Sequence, residues 1–163
     1  MNVRFSLIAA IQSRNNLVDF PFHINGDMSA RMMAILDEMA AGQEVYSIDE
    51  SFLDVTGISS YMPLERFGQQ MRERVRRETG LTIGVGFGPT KTLARLANQV
   101  AKQWTKTHGV VDLSETRRQQ KLLQLTPIGD IWGIGWRIAQ RLEEMGLPLP
   151  ASHRLCDDRA LWR

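Results

Sequence analysis

The stretch "LTIGVGFGPTKTLARLANQVAKQW", residues 81–104, leaves the chain few ways to fold. Its first part is apolar but interrupted by Gly84, Gly86 and Gly88. It reads as a buried strand weakened by glycines, or one that something approaches closely. Beyond Pro89 the period changes, and Leu93, Leu96, Ala97, Val100 and Trp104 recur as the apolar stripe of a helix. Such a strand needs partners and a covering layer, and the flanking sequence offers both. Residues 44–48 and 52–56 read as a hairpin of two strands. Asp27 is placed to cap a helix in "DMSARMMAILDEMA", whose Met28, Met32, Ile35, Leu36 and Met39 share one face. Pro63 suits the first turn of another helix, carrying Leu64, Phe67, Met71 and Val75, with Arg72, Arg74, Arg76 and Arg77 on its surface and Gly80 at its end. "GVVDL" is a short strand.

From residue 114 on, only helices are expected. "SETRRQQKLLQL" begins with Ser114 as a cap, and "TPIGDIWGIGWRIAQRLEEMG" gives two helical pieces about a Gly-Ile-Gly turn. The tail, 147–163, has no clear period. Near the start, Val3, Phe5, Leu7, Ala9 and Ile11 alternate as in a buried strand, although a short frayed helix or a disordered start also fits. The element order argues for α+β, helices on a mostly antiparallel sheet, followed by a small helical unit.

Charge is unevenly spread. Residues 1–65 hold 3 Lys/Arg against 9 Asp/Glu, and residues 66–163 hold 17 against 9, within a net charge of +2. An acidic part beside a basic part suits a cation site next to a phosphate-binding surface, or simply two solvated faces of opposite sign. The single cysteine, Cys156, excludes an internal disulfide and a cysteine metal cluster, which fits a reducing, cytoplasmic setting. No apolar run approaches the length of a membrane span.

Three constellations are candidates for chemistry. Asp49 and Glu50 stand side by side at the hairpin tip, where a divalent cation between them would offset their repulsion; a polar turn without function is the plain alternative. In "GVGFGPTKTLAR" the first helical turn carries Thr90 and Lys91, with Arg95 one turn on, which suits an anion such as a triphosphate, although the G-x-x-x-x-G-K-S/T spacing of a P-loop is absent. In "IWGIGWRIAQRLEEMG" a helix-hairpin-helix with Arg137 and Arg141 suits the phosphate backbone of nucleic acid without reading its sequence; an ordinary αα-hairpin is the alternative. His23, His108 and His153 lack ligand-like spacing.

Together, "YSIDESFLDVTG", "LTIGVGFGPTKTLARLANQVAKQW", "GVVDL" and "IGDIWGIGWRIAQRLEEMG" resemble, in order and spacing, the Y-family translesion DNA polymerases, nearest the UmuC-like branch that serves bacterial DNA polymerase V and its plasmid relatives. The resemblance runs from about Asp27 to Gly146. It implies a ferredoxin-like palm over 27–113 and part of a helical thumb over 114–146. It also implies SOS mutagenesis and DNA repair by nucleotidyl transfer with two Mg²⁺. By resemblance Asp49 and Glu50 are the catalytic, metal-binding acids and Lys91 touches the incoming triphosphate. Gly133, Ile134 and Gly135, with Arg137 and Arg141, hold DNA, and other subunits of a polymerase V-like complex are implied as partners.

The chain departs from the family pattern in several places. The family's first strand carries another metal-binding Asp near an aromatic steric gate; here no acid precedes Asp19 and no Asp-x-x-x-Phe-Tyr occurs. Phe22 and Asn25 stand where two tyrosines help to hold the nucleotide. The fingers, the rest of the thumb and the little finger have no counterpart, so 1–26 and 147–163 read as the ragged ends of a truncated relative that is inactive alone. A non-catalytic module that binds damaged DNA or a repair partner, and a nucleotidyl-cyclase-like palm enzyme, are the competing readings.

Overall fold

The computed structural model describes residues 7–11 and 22–145, with side chains described from Gly26 onward except that of Glu143. The chain divides at Leu113/Ser114 into two compact units.

The first unit is built on a five-stranded sheet. In chain order its elements are β1 (Leu7–Ile11), α1 (Phe22–Asp37), β2 (Gly42–Val45), β3 (Glu50–Asp54), α2 (Leu64–Thr79), β4 (Ile83–Phe87), α3 (Lys91–Gln103) and β5 (Val110–Asp112). The strands lie in the order β2-β3-β1-β4-β5. Every neighbouring pair is antiparallel except β4 and β5, which are parallel. The first four strands with α1 and α2 make the βαββαβ ferredoxin-like arrangement, and α3 crosses over to add β5.

Alternation along the strands divides the apolar residues between two faces. Leu53, Ile83, Val85 and Phe87 pack against Met32 and Leu36 of α1 and Phe67, Met71 and Val75 of α2, forming the main core. Glu50 and Phe52 alternate to the other face, where Phe52 packs on Ala94 of α3. Gly84 and Gly86 also face α3. A Cβ on Gly86 would lie 2.2 Å from the Asn98 backbone nitrogen and 2.3 Å from the Ala94 carbonyl oxygen. What approaches this glycine-bearing strand is the chain's own helix. Buried Asn98 adds a tie, donating from Nδ2 to the Gly84 carbonyl at 2.6 Å.

β1 resolves the two readings of the N-terminal segment. Residues 7–11 form the central strand, with Ala10 in register with Glu50 of β3 on one side and Gly84 of β4 on the other. A frayed helix or disordered start is therefore overturned for these residues, and the alternation from Val3 to Phe5 lies outside the described ones.

Several element limits differ from expectation. The hairpin strands, expected at 44–48 and 52–56, begin two residues earlier, and the first ends at Val45, because the amides of Tyr46 and Ser47 both donate to the Glu50 carbonyl and close the turn there. α1 begins at Phe22, so Asp27 is no cap; it lies inside the helix and pairs with Arg31 at 3.0 Å. Pro63 stands at the cap position of α2 rather than in its first turn. Gly80, at φ 76°, ends that helix in the left-handed region. Thr90 is likewise the cap of α3, its hydroxyl accepting from the Leu93 amide.

The second unit holds α4 (Thr116–Leu125) and α5 (Trp136–Glu144), with a 3₁₀ turn at Ile128–Asp130 between them. Glu115, not Ser114, precedes α4 at the cap position and makes no capping hydrogen bond. The 147–163 tail lies outside the described residues.

Two measurements test this packing. Gly86→Ala sets a methyl group against helix backbone that cannot swing aside, and is expected to destabilise the fold by about 2 kcal/mol or more. At Gly84 the nearest obstacle is the flexible Lys102 side chain at 3.0 Å, so Gly84→Ala should cost clearly less. Equal losses in thermal unfolding would contradict the assignment. In hydrogen exchange, the amides of residues 7–11 are expected to be as protected as those of 83–87.

Candidate functional site

The acidic tip and α3 meet on one face of the sheet. Tyr46, Ser47, Ile48 and Asp49 make the turn, and Glu50 opens β3. The Ser47 hydroxyl donates to Asp49 Oδ1 at 2.7 Å, and the buried Ser29 hydroxyl of α1 donates to the Ile48 carbonyl, tying the tip to the helix behind it. Tyr46 and Phe52 stack edge to face with centroids 5.8 Å apart.

α3 lays its cations along these groups. Arg95 Nη1 donates to Glu50 Oε2 at 2.6 Å, with the Glu50 side chain only 16% exposed and that of Arg95 31%. Lys91 Nζ donates to Glu44 Oε2 at 2.5 Å. Each cation also lies over a ring, Lys91 over Phe52 at 5.0 Å and Arg95 over Tyr46 at 5.4 Å. Burial holds the Lys102 ammonium below its ordinary range, while the carboxylates of Glu50 and Asp49 pull it back up and Arg95 pushes it down.

The expected residues Asp49, Glu50, Lys91 and Arg95 are thus gathered in one place. Glu44 and Lys102 were missed. Lys102 stands two turns beyond Arg95, within the spacing of one helix face, but its position in "VAKQW" gives no sign that it reaches the acids. Glu44 was read as part of a strand whose apolar neighbours dominated the pattern.

Whether these groups suit two Mg²⁺ ions depends on the donor set. The strand beside the acid pair reads Leu-Ile-Ala-Ala-Ile from residue 7 to 11, so no carboxylate comes from it. Among the described residues no group of three or more His, Cys, Asp or Glu side chains is assembled to hold a metal. One of the two carboxylates already takes a guanidinium. The described residues do not by themselves fit a pair of ions.

In the second unit, Gly133 adopts φ 93° and the chain turns into α5, where Ile138 and Ala139 both donate to the Gly135 carbonyl. A Cβ on Gly133 or Gly135 would meet nothing within 4 Å, so the turn presents open backbone. The first N–H groups of α5 have no intrahelical acceptor and face the same end. Arg137 lies over Trp136 at 5.8 Å, and Trp136 is 72% exposed. Arg137 and Arg141 are both exposed, one helical turn apart.

This fold is that of DNA polymerase palms. It is similar to DinB from Sulfolobus solfataricus, with a TM-score of 0.65 and 29% identity over 80% of this chain and 37% of that one. It is also similar to an insertion ternary complex of Dbh DNA polymerase, with a TM-score of 0.67 and the same identity and coverage. The chain belongs to the impB/mucB/samB family, whose model matches residues 11–99, and the HHH motif of that family matches residues 116–147. It is 48% identical to protein UmuC of Salmonella typhimurium over 127 residues, 77% of this chain and 30% of that protein. It is 43% identical to protein MucB of Escherichia coli over 156 residues, 94% of this chain and 37% of that protein. The chain thus spans about a third of the length of these relatives. Among the described residues no helix is long and apolar enough to cross a membrane.

Proposed function

We propose that this chain supplies the palm and the first thumb hairpin of an error-prone translesion polymerase of the UmuC kind, acting in DNA repair and SOS mutagenesis, and that its own activity is to grip DNA by the backbone. The observation that carries the reading is the meeting of Asp49 and Glu50 with Lys91, Arg95 and Lys102 on a ferredoxin-like sheet, followed in the chain by an open Gly-Ile-Gly turn. Residues 27–113 are the palm, joined by the strand at 7–11, and 114–146 are the thumb segment. Gly133, Ile134 and Gly135 offer backbone N–H groups to a phosphate, and Arg137 and Arg141 add charge. Relatives named UmuC and structures of Dbh DNA polymerase in ternary and binary complexes support the reading, which also places the chain in a polymerase V-like setting with further subunits in the cytoplasm.

Template-directed nucleotidyl transfer with two Mg²⁺ is the reaction of such polymerases. It needs carboxylates preorganised around both ions. Here the strand next to Glu50 brings none, and Glu50 is held by Arg95. That favours the second reading, a DNA-binding module without catalysis of its own, over independent polymerase action. A cyclase-like enzyme would have no use for a hairpin that holds a phosphate backbone.

Three outcomes are expected. The purified chain with Mg²⁺ does not extend a primer; steady extension that Asp49→Ala abolishes would overturn this. DNA binding, followed by fluorescence anisotropy, is indifferent to duplex sequence and weakens steeply with salt. Replacing Arg137 and Arg141 together should lower the slope of log affinity against log salt by roughly 2. The two glycines should separate: Gly133→Ala strains a positive φ and costs about 1 kcal/mol of stability, whereas Gly135→Ala leaves thermal unfolding unchanged and weakens DNA binding.

A further inference from the structure

We infer that Arg95 is the resident counter-ion of the acid pair, occupying Glu50 so that this chain's carboxylates are neutralised from within and closed to divalent cations until Arg95 leaves. The inference concerns the charge balance of the site and stands apart from the DNA-binding reading.

Three observations lead to it. The first is the contact. The Glu50 side chain is 16% exposed, and the Arg95 guanidinium donates to it at 2.6 Å, a charge-assisted pair held partly out of water. Tyr46 holds the same guanidinium from its ring face at 5.4 Å, so Arg95 is fixed between an aromatic ring and a carboxylate. The second is the count of charges. The hairpin brings Glu44, Asp49 and Glu50, and α3 brings Lys91, Arg95 and Lys102. Lys91 is paired with Glu44, and Lys102 feels both Glu50 and Asp49. Three acids meet three cations, and a divalent ion added to this set would leave it over-compensated. The third is the register. Ala10 and Gly84 are the residues aligned with one another and with Glu50 across β3, β1 and β4, so on that side of Glu50 the register brings no carboxylate to draw a cation in.

A bound divalent cation and the Arg95 pair thus compete for Glu50. By linkage, whatever removes Arg95 from Glu50 raises cation affinity, and a cation that binds loosens Arg95.

The test uses the purified chain with Mn²⁺ alone as a paramagnetic probe of binding and Mg²⁺ in thermal unfolding. Wild-type protein is expected to unfold at the same temperature with and without millimolar Mg²⁺ and to bind Mn²⁺ weakly. Arg95→Gln should unfold at a lower temperature in metal-free buffer, regain stability on adding Mg²⁺, and bind Mn²⁺ about tenfold more tightly or better. Arg95→Lys should stay close to wild type. If Arg95→Gln proves too unstable to purify, the double variant Arg95→Gln/Glu50→Gln decides. It should fold in metal-free buffer and show no cation response, because the charge that needed neutralising is gone. Tight Mn²⁺ binding by the wild type, an Arg95→Gln variant that gains no cation affinity, or a double variant as unstable as the single one would each overturn the inference.

Discussion

Helix α3 lies on β4 so closely that a methyl group on Gly86 would come within 2.2 Å of the Asn98 backbone nitrogen. At such a distance helix and strand are in contact through their backbones, and Gly84 and Gly86 are the residues that permit it. Asn98, buried and bonded to the Gly84 carbonyl, holds the helix along the strand. With that position set, Lys91, Arg95 and Lys102 come down beside Glu44, Asp49 and Glu50. The charged face of the first unit therefore follows from an uncharged contact.

The sheet itself turns on β1. It stands between β3 and β4, and without it each would have an open edge of unpaired N–H and C=O groups. Backbone pairing asks nothing of the side chains, so a strand of Leu, Ile and Ala completes the sheet as well as one bearing an acid would. The sheet's demand is met, while the acid pair turns to α3 for neutralisation.

The hairpin unit depends on a different principle. Its turn is shaped by Gly133 at positive φ, and the backbone at Gly133 and Gly135 is left open. Trp136 and Ile138 of α5 are exposed.

Much of this was legible in the residues. The helical stripe from Leu93 to Val100, the strand at 83–87, the hairpin about Asp49 and the Gly-Ile-Gly turn each carry a strong local period or a turn residue, and local chemistry suffices to read them. Element limits were less legible. The apolar side chains of Val45, Tyr46 and Ile48 made the turn look like strand, although all three are exposed. Asp27, a good capping residue by type, sits inside a helix whose start was masked by an apolar, irregular lead.

The sequence by itself determined the order of elements after residue 26, the α+β class, the two-part charge distribution and the adjacency of Asp49 and Glu50. Only tertiary structure decided that residues 7–11 are the centre of the sheet, that the glycines of β4 admit a helix rather than a ligand, and that Glu50 is claimed by Arg95. The reason is physical: periodicity, capping and turn chemistry act over a few neighbouring residues, whereas strand pairing and the choice of an ion's partner join residues 42 to 45 positions apart, as Ala9↔Ser51 and Glu50–Arg95 are.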